Sequence, residues 1–235
     1  MRKFIRKIRE KFRYYNGKIK EKHTYYFGFT QYYNIPFKFP KPMPPSSFEV
    51  MKKGCDILKS LNIEYCISFG TLLGIYRDNR LIPHDSDIDV EIIHPVNTKK
   101  IEEEFVKNGF TLGHKVVVMG KVQQLAFYTD DEVVFDIAFY QKIGSYVYCF
   151  HDSDLYFKFP ANYYKKFIPY EFSGYTTYTP INPEQWLEYT YGKNWKIPKT
   201  SKPNGWREEE DEYGMAVKID GDIIQEIKKI QRERL

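Results

Sequence analysis

The segment DSDIDVEII, residues 85–93, constrains this chain more than any other. Ile88, Val90 and Ile92 alternate with Asp87, Asp89 and Glu91, and a repeat of two is the repeat of a β-strand. Asp87 and Asp89 therefore point to one face of a sheet. Carboxylates held side by side repel one another, so the arrangement calls for a counter-charge. A divalent metal is the simplest one, because two oxygen ligands plus substrate phosphates suit Mg²⁺ (or Mn²⁺).

The flanking segments place this strand. Ser46 or Ser47 can cap a helix running to about Leu61, with Phe48, Met51, Ile57, Leu58 and Leu61 as its apolar contacts. EYCISFG (64–70) reads as a short buried strand ending on Gly70, and TLLGIYRDN (71–79) as a short helix entered through that glycine. A helix over 97–108, capped by Asn97 or Thr98, precedes strands near 110–119, 121–129 and 132–140. In the last of these Asp136 stands among β-branched and aromatic residues, where an acid must be paired, protonated or metal-bound. Set beside the Asp87/Asp89 strand, it completes a three-carboxylate site.

A Gly-Thr step at a strand end, a short helix, Asp-x-Asp on the next strand and a further Asp on a later one form a nucleotidyltransferase-type arrangement. Glycine lets backbone N–H groups approach a phosphate at a helix start. The aspartates hold metal that neutralises charge during phosphoryl transfer. The expected fold is α+β: a nucleotidyltransferase-like mixed sheet flanked by helices, with a basic amphipathic helix at the N-terminus.

Composition sets the outer limits. Hydrophobic residues are 42% and aromatics 18% of the 235 residues, enough for one sizeable core. The sequence has no apolar run long enough for a transmembrane helix and no signal-peptide core. Cys55, Cys66 and Cys149 lie far apart without metal-ligand spacing, so a reducing, cytoplasmic setting is expected. The net charge of +5 hides a division: residues 1–45 carry twelve Lys/Arg and two Glu, whereas the remainder is net −5. An acidic body argues against nucleic acid as a partner. In residues 1–13, Phe4, Ile5, Ile8 and Phe12 make one helical stripe among seven cations. This stripe suits either an anionic membrane surface, on the inner face of the membrane, or packing on the body. The aromatic stretch 25–39 and PKPMPPSS (40–47) read as a connector. The chain thus divides into an arm with its linker (1–45) and a catalytic body (46–235).

FGTLLGIYRDNRLIPHDSDIDVEI (69–92) resembles the signature of the LicD family, and most closely its fukutin branch. The resemblance continues through VVFDIAFYQ (133–141), PEQWLEYTYGKNWKIP (183–198) and KPNGW (202–206). Relative to the usual LicD segment, His84 replaces a tryptophan and Ser86 an aspartate. The resemblance implies transfer of a phospho-alcohol, such as phosphocholine or ribitol 5-phosphate, from a CDP-linked donor to a hydroxyl of a glycan or lipid-linked glycan. It implies Asp87 and Asp89 as metal ligands, and Asp136 as a third ligand, a base for the acceptor hydroxyl, or both. Gly70 and Thr71 would contact donor phosphate.

Other residues have two readings each. Arg77 clamps a phosphate or pairs with a carboxylate such as Asp85. His84 positions donor or acceptor, or caps the strand. Trp195 is a packing anchor or a platform for cytidine or acceptor. Gly192 is expected to end its helix in the left-handed conformation. Gln123 and Gln124, on a strand, can reach substrate, though one of them is expected to face solvent; His151, Asp152 and Asp154 read as a solvated turn, EEEDE (208–212) as a solvated stretch. The closing segment with Ile223, Ile224, Ile227 and Ile230 is an amphipathic helix for packing or dimerisation. The competing functions are an NMP-transferring nucleotidyltransferase, a nucleotide-sugar glycosyltransferase and a catalytically inactive scaffold.

Overall fold

The computed structural model describes residues 21–26, 29–33, 43–85, 87–152, 155–198, 216–218 and 223–232. In chain order the elements are β1 (Glu21–Tyr26), β2 (Phe29–Tyr33), α1 (Ser47–Ser60), β3 (Cys66–Ile67), α2 (Phe69–Asp78), β4 (Asp87–Ile93) and α3 (Thr98–Lys107). There follow β5 (Thr111–Val118), β6 (Lys121–Tyr128), β7 (Val134–Ile143), β8 (Tyr146–Asp152), β9 (Leu155–Pro160) and a 3₁₀ turn at Ala161–Tyr164. The last are β10 (Phe167–Phe172), β11 (Tyr175–Pro180), α4 (Pro183–Tyr191), β12 (Ala216–Lys218) and α5 (Ile223–Arg232). The class is α+β, a mixed sheet flanked by helices.

The sheet is organised around β7. Val134–Tyr140 runs parallel to β4, and Val134–Ala138 runs antiparallel to β6 on the other side. Gln141–Ile143 continues into β8, which leads to β9 and β12. β6 pairs with β5, β5 with β2 and β2 with β1. Residues 21–26 and 29–33, read as part of the arm and connector, thus pair as antiparallel strands, the second of which extends the sheet.

The strand alternation sorts the two faces. Ile88, Val90, Ile92, Leu125, Phe127, Phe135, Ile137 and Phe139 are all buried on one of them. Helices α1 and α3 cover it: Phe105 of α3 stacks on Phe127 at 4.6 Å. Gly54 of α1 leaves room for the Phe135 ring, which a Cβ there would approach to 2.3 Å. The other face carries Asp87, Asp89, Glu91 and Asp136. It is roofed by aromatic residues of α2, α4, β9 and the 3₁₀ turn. Trp186 stacks on Phe159 at 5.2 Å and 4°, and the Phe69 ring lies 5.5 Å from Trp186.

Several local expectations change. The strand before Gly70 is only Cys66–Ile67, because α2 begins at Phe69, before the glycine. Phe69 takes φ +40° there, a left-handed value that its packing against Phe157, Phe159 and Trp186 holds in place. Ser46 makes no side-chain cap, and the Ser47 hydroxyl donates to the Pro44 carbonyl at 2.6 Å. Asn97 does cap α3, its Oδ1 accepting from the Lys100 N–H at 3.1 Å. Gly192 follows α4 with φ 79° and ψ 174°, extended rather than left-handed helical, though still a conformation that requires glycine. His151 and Asp152 belong to β8 rather than to a solvated turn, and His151 is half-buried with its ring 5.2 Å from Phe157. Ile227 and Ile230 of α5 are buried in a second cluster with Val116, Tyr148 and Tyr156, which makes this helix part of the body's packing.

The three cysteines are buried and free. No helix among the described residues is long and apolar enough to cross a membrane. The expected amphipathic helix over 1–13, the Pro-rich connector 40–42, Ser86, Asp154, the acidic run 208–212 and KPNGW (202–206) lie outside the described residues.

Candidate active site

β4 delivers Asp87 and Asp89 to the aromatic-roofed face, and Asp85, which follows the turn at residues 83–84, lies alongside. One carboxylate oxygen from each of Asp85, Asp87 and Asp89 lies within 4.8 Å of the other two. Asp85 belongs to the site although the sequence reading gave it no place there except as a partner for Arg77. Its signal was the same period of two that marks Asp87 and Asp89. The Asp85 carboxylate can sit here because residue 70 has no side chain: a Cβ on Gly70 would lie 1.9 Å from Asp85 Oδ2. Thr71 is buried, and its Oγ1 accepts the Asp89 backbone N–H at 2.8 Å. Gly70 and Thr71 therefore shape the carboxylate cluster directly.

The parallel register sets Asp136 of β7 opposite Asp89 of β4, with Ala126 of β6 on its far side. Asp136 Oδ2 accepts from Gln124 Nε2 at 2.5 Å, while Oδ1 is buried with no protein partner. Burial pushes the Asp136 acid up to about 7, against the opposing pull of the Gln124 and Ile137 hydrogen bonds. Asp89 is pushed well above the carboxylate range, first by burial and then by the charges of Asp87, Asp85, Asp136 and Glu91. Each of these effects opposes a negative charge. A hard cation among the oxygens would reverse them, so the donor set fits Mg²⁺ or Mn²⁺.

Glu91 completes the row on β4. It is fully buried, and its Oε2 accepts from the Tyr164 hydroxyl at 2.8 Å; Tyr164 Oη in turn accepts from Trp186 Nε1 at 2.9 Å. Burial raises its acid to about 8, with Tyr164 and Tyr140 pulling the other way. Tyr191, the last residue of α4, is held neutral by burial and by Asp89, Asp85, Asp87 and Glu91 in that order. Its phenol therefore belongs to the same surroundings.

The other expected residues are placed as follows. Arg77 forms a two-pronged pair with Asp78, Nε to Oδ1 at 3.0 Å and Nη2 to Oδ2 at 2.7 Å, and its Nη1 donates to the Trp195 carbonyl at 3.4 Å. Its carboxylate partner is thus Asp78, not Asp85. Trp195 is buried, tilted against Tyr76 at 6.1 Å, the environment of a packing anchor. His84 is exposed on the turn just before Asp85. Neither Gln123 nor Gln124 faces solvent, because β6 is an interior strand with both faces covered. Gln123 Oε1 accepts the Phe150 N–H at 3.2 Å, a link between strands.

The family model described as "LicD/FKTN/FKRP, nucleotidyltransferase domain" matches residues 62–182, more than half of the chain. The chain is similar to "Ribitol-5-phosphate transferase FKTN" of Homo sapiens, at 29% identity over 170 residues, 68% of this chain and 36% of that protein. The Mus musculus protein of the same name is 29% identical over 167 residues, 66% of this chain and 36% of its own. An uncharacterised protein of Rickettsia typhi is 28% identical over 144 residues, 59% of this chain and 43% of that one. The chain therefore spans well under half the length of these relatives. Among solved structures, the lincosamide antibiotic adenylyltransferase LnuA with lincomycin bound has a TM-score of 0.45 at 10% identity, covering 69% of this chain and 92% of that one.

Proposed function

Because the chain belongs to the LicD/FKTN/FKRP nucleotidyltransferase-domain family, we propose that it is a metal-dependent transferase of phospho-alcohols. The donor is a CDP-linked alcohol, ribitol phosphate or phosphocholine in kind, and the acceptor is a hydroxyl of a glycan or lipid-linked glycan. The observation that carries the proposal is the register pairing Asp89 with Asp136 beside the Asp85–Asp87–Asp89 cluster.

Asp85, Asp87 and Asp89 would hold the cation, Mg²⁺ or Mn²⁺, with Asp136 next to them on the neighbouring strand. When bound it would supply charge neutralisation at the donor pyrophosphate. Gly70 and Thr71 act on the donor end of the site through the two carboxylates they position. Asp136 takes the acceptor proton: one of its oxygens is tied to Gln124, and the other has no protein partner and faces the site. The acceptor oxygen bonds to the phosphorus that bears the alcohol. The bond from that phosphorus to the CMP oxygen breaks, CMP leaves with the electron pair, and the hydroxyl proton passes to Asp136. Arg77 braces α2 against the segment that carries Trp195, and His84, exposed on the turn just before Asp85, is available to donor or acceptor.

Product analysis by ³¹P NMR tests this reading. CDP-ribitol, CDP-glycerol, CDP-choline or CDP-ethanolamine with Mg²⁺ and a glycan acceptor should give CMP and a phosphodiester. Pyrophosphate released from an NTP, with no CMP from any CDP compound, would replace it with NMP transfer.

A further inference from the structure

Gln124 lies on β6, opposite Ala138 of β7, and Asp136 lies opposite Ala126 of β6. Gln124 and Asp136 therefore sit diagonally across the strand pair, separated by two methyl side chains. A diagonal pair is ~7–8 Å apart at the backbone, within reach of a long side chain only. The Gln124 side chain covers that gap and places Nε2 2.5 Å from Asp136 Oδ2. Gln124 is 5% exposed, and both its own Oε1 and Asp136 Oδ1 are buried without a protein partner. Neighbouring Gln123 faces the opposite way and is spent on the Phe150 backbone. The Gln124 amide thus commits its donor to one oxygen of a single carboxylate and leaves the other oxygen open.

We propose that Gln124 is a positioning residue for the transfer reaction: its amide N–H locks the Asp136 carboxylate so that Oδ1 is the oxygen presented to the acceptor hydroxyl. This inference rests on the reading of Asp136 as proton acceptor. Apart from the Ile137 backbone N–H, the alanine neighbours on the two strands offer no polar restraint on the carboxylate, so without the amide it can turn away from Asp89. Oriented bases lose much of their effect when the orienting bond is removed.

The test compares Gln124→Leu, which keeps the volume and removes the amide, with Gln124→Asn, which keeps the amide and is one methylene too short. Both should lower kcat by ~10–100-fold with the donor KM within about twofold of wild type. Mn²⁺ binding to the metal-free protein, measured by calorimetry, should be unchanged within about twofold, because Asp85, Asp87 and Asp89 are untouched. A crystal structure of either variant should show the Asp136 carboxylate rotated. In an Asp136→Asn background the Gln124 change should remove nothing further, since Gln124 acts only through Asp136. An unmoved carboxylate, an unchanged kcat, or the same loss repeated in the Asp136→Asn background overturns the inference. If Gln124→Leu does not fold, Gln124→Asn carries every comparison. If the wild type turns over no CDP compound, the functional reading fails, and the variant's structure still decides whether Gln124 positions Asp136.

Discussion

Glu91→Gln should stabilise the protein, by an amount that grows as the pH rises from about 4.5 to about 8. Wild-type Glu91 is fully buried behind the site, and its acid is pushed up to about 8 from an ordinary 4.5. Folded protein therefore keeps the proton across a range in which unfolded chain has lost it. Stability falls wherever the folded state binds more protons, so this contribution is intact below pH 4.5, declines up to about pH 8 and is then fully lost. At ~1.4 kcal/mol per pH unit, that interval corresponds to roughly 3–5 kcal/mol. Glutamine cannot ionise, its carbonyl can still accept from Tyr164 Oη, and its NH₂ takes the place of the acid O–H. In EDTA, urea unfolding should show the variant within ~1 kcal/mol of wild type near pH 5 and several kcal/mol more stable at pH 8.5. The expected rise in Tm at pH 8.5 is on the order of 10 °C for a domain of this size. Asp89 and Asp136 titrate in the same sense in both proteins, so the difference reports Glu91 together with the push that its charge gives Asp89. Equal stability differences at the two pH values, or destabilisation at pH 8.5, would refute the reasoning.

Gly70→Ala puts a Cβ where the Asp85 carboxylate lies; displacing that carboxylate should weaken Mn²⁺ binding by ~10-fold or more, read by calorimetry, with the Tm in EDTA little changed. An unaltered Mn²⁺ affinity would remove Asp85 from the cation site. Residues 1–13 suit either an anionic membrane or packing on the body, and their deletion separates the two: loss of sedimentation with phosphatidylglycerol liposomes with turnover in solution spared is the outcome of the first, and equal sedimentation of both proteins would exclude it.

How far the sequence reached depended on the range of the interactions involved. Strand β4 and helix α3 were legible because their signals are local: alternation at Asp87–Ile93 and an Asn97 cap. Asp136 was legible because an acid among β-branched and aromatic neighbours needs an explanation wherever it lies. Asp85 was missed although it continues the spacing of Asp87 and Asp89, since its place depends on the side chain that Gly70 lacks. Glu91 read as one more alternating residue; its burial comes from Tyr164 and Trp186, contributed by a turn and a helix far along the chain. Gln123 and Gln124 were assigned one exposed side because alternation assumes one wet face, and β6 has none. The hairpin of β10 and β11 was missed too: its register, Phe167 with Pro180 through Phe172 with Tyr175, leaves no regular apolar alternation to read.

The central claim is that the carboxylate cluster runs a cation-dependent transfer from a CDP-linked alcohol. The most direct test is CMP release from a panel of CDP-alcohols with a glycan acceptor, with Mg²⁺ or with EDTA, by wild type and Asp89→Asn. The account predicts release by the wild type with Mg²⁺ only, and a loss of at least ~10³-fold in a folded Asp89→Asn protein. CMP release that survives EDTA, or near-wild-type release by Asp89→Asn, would contradict it.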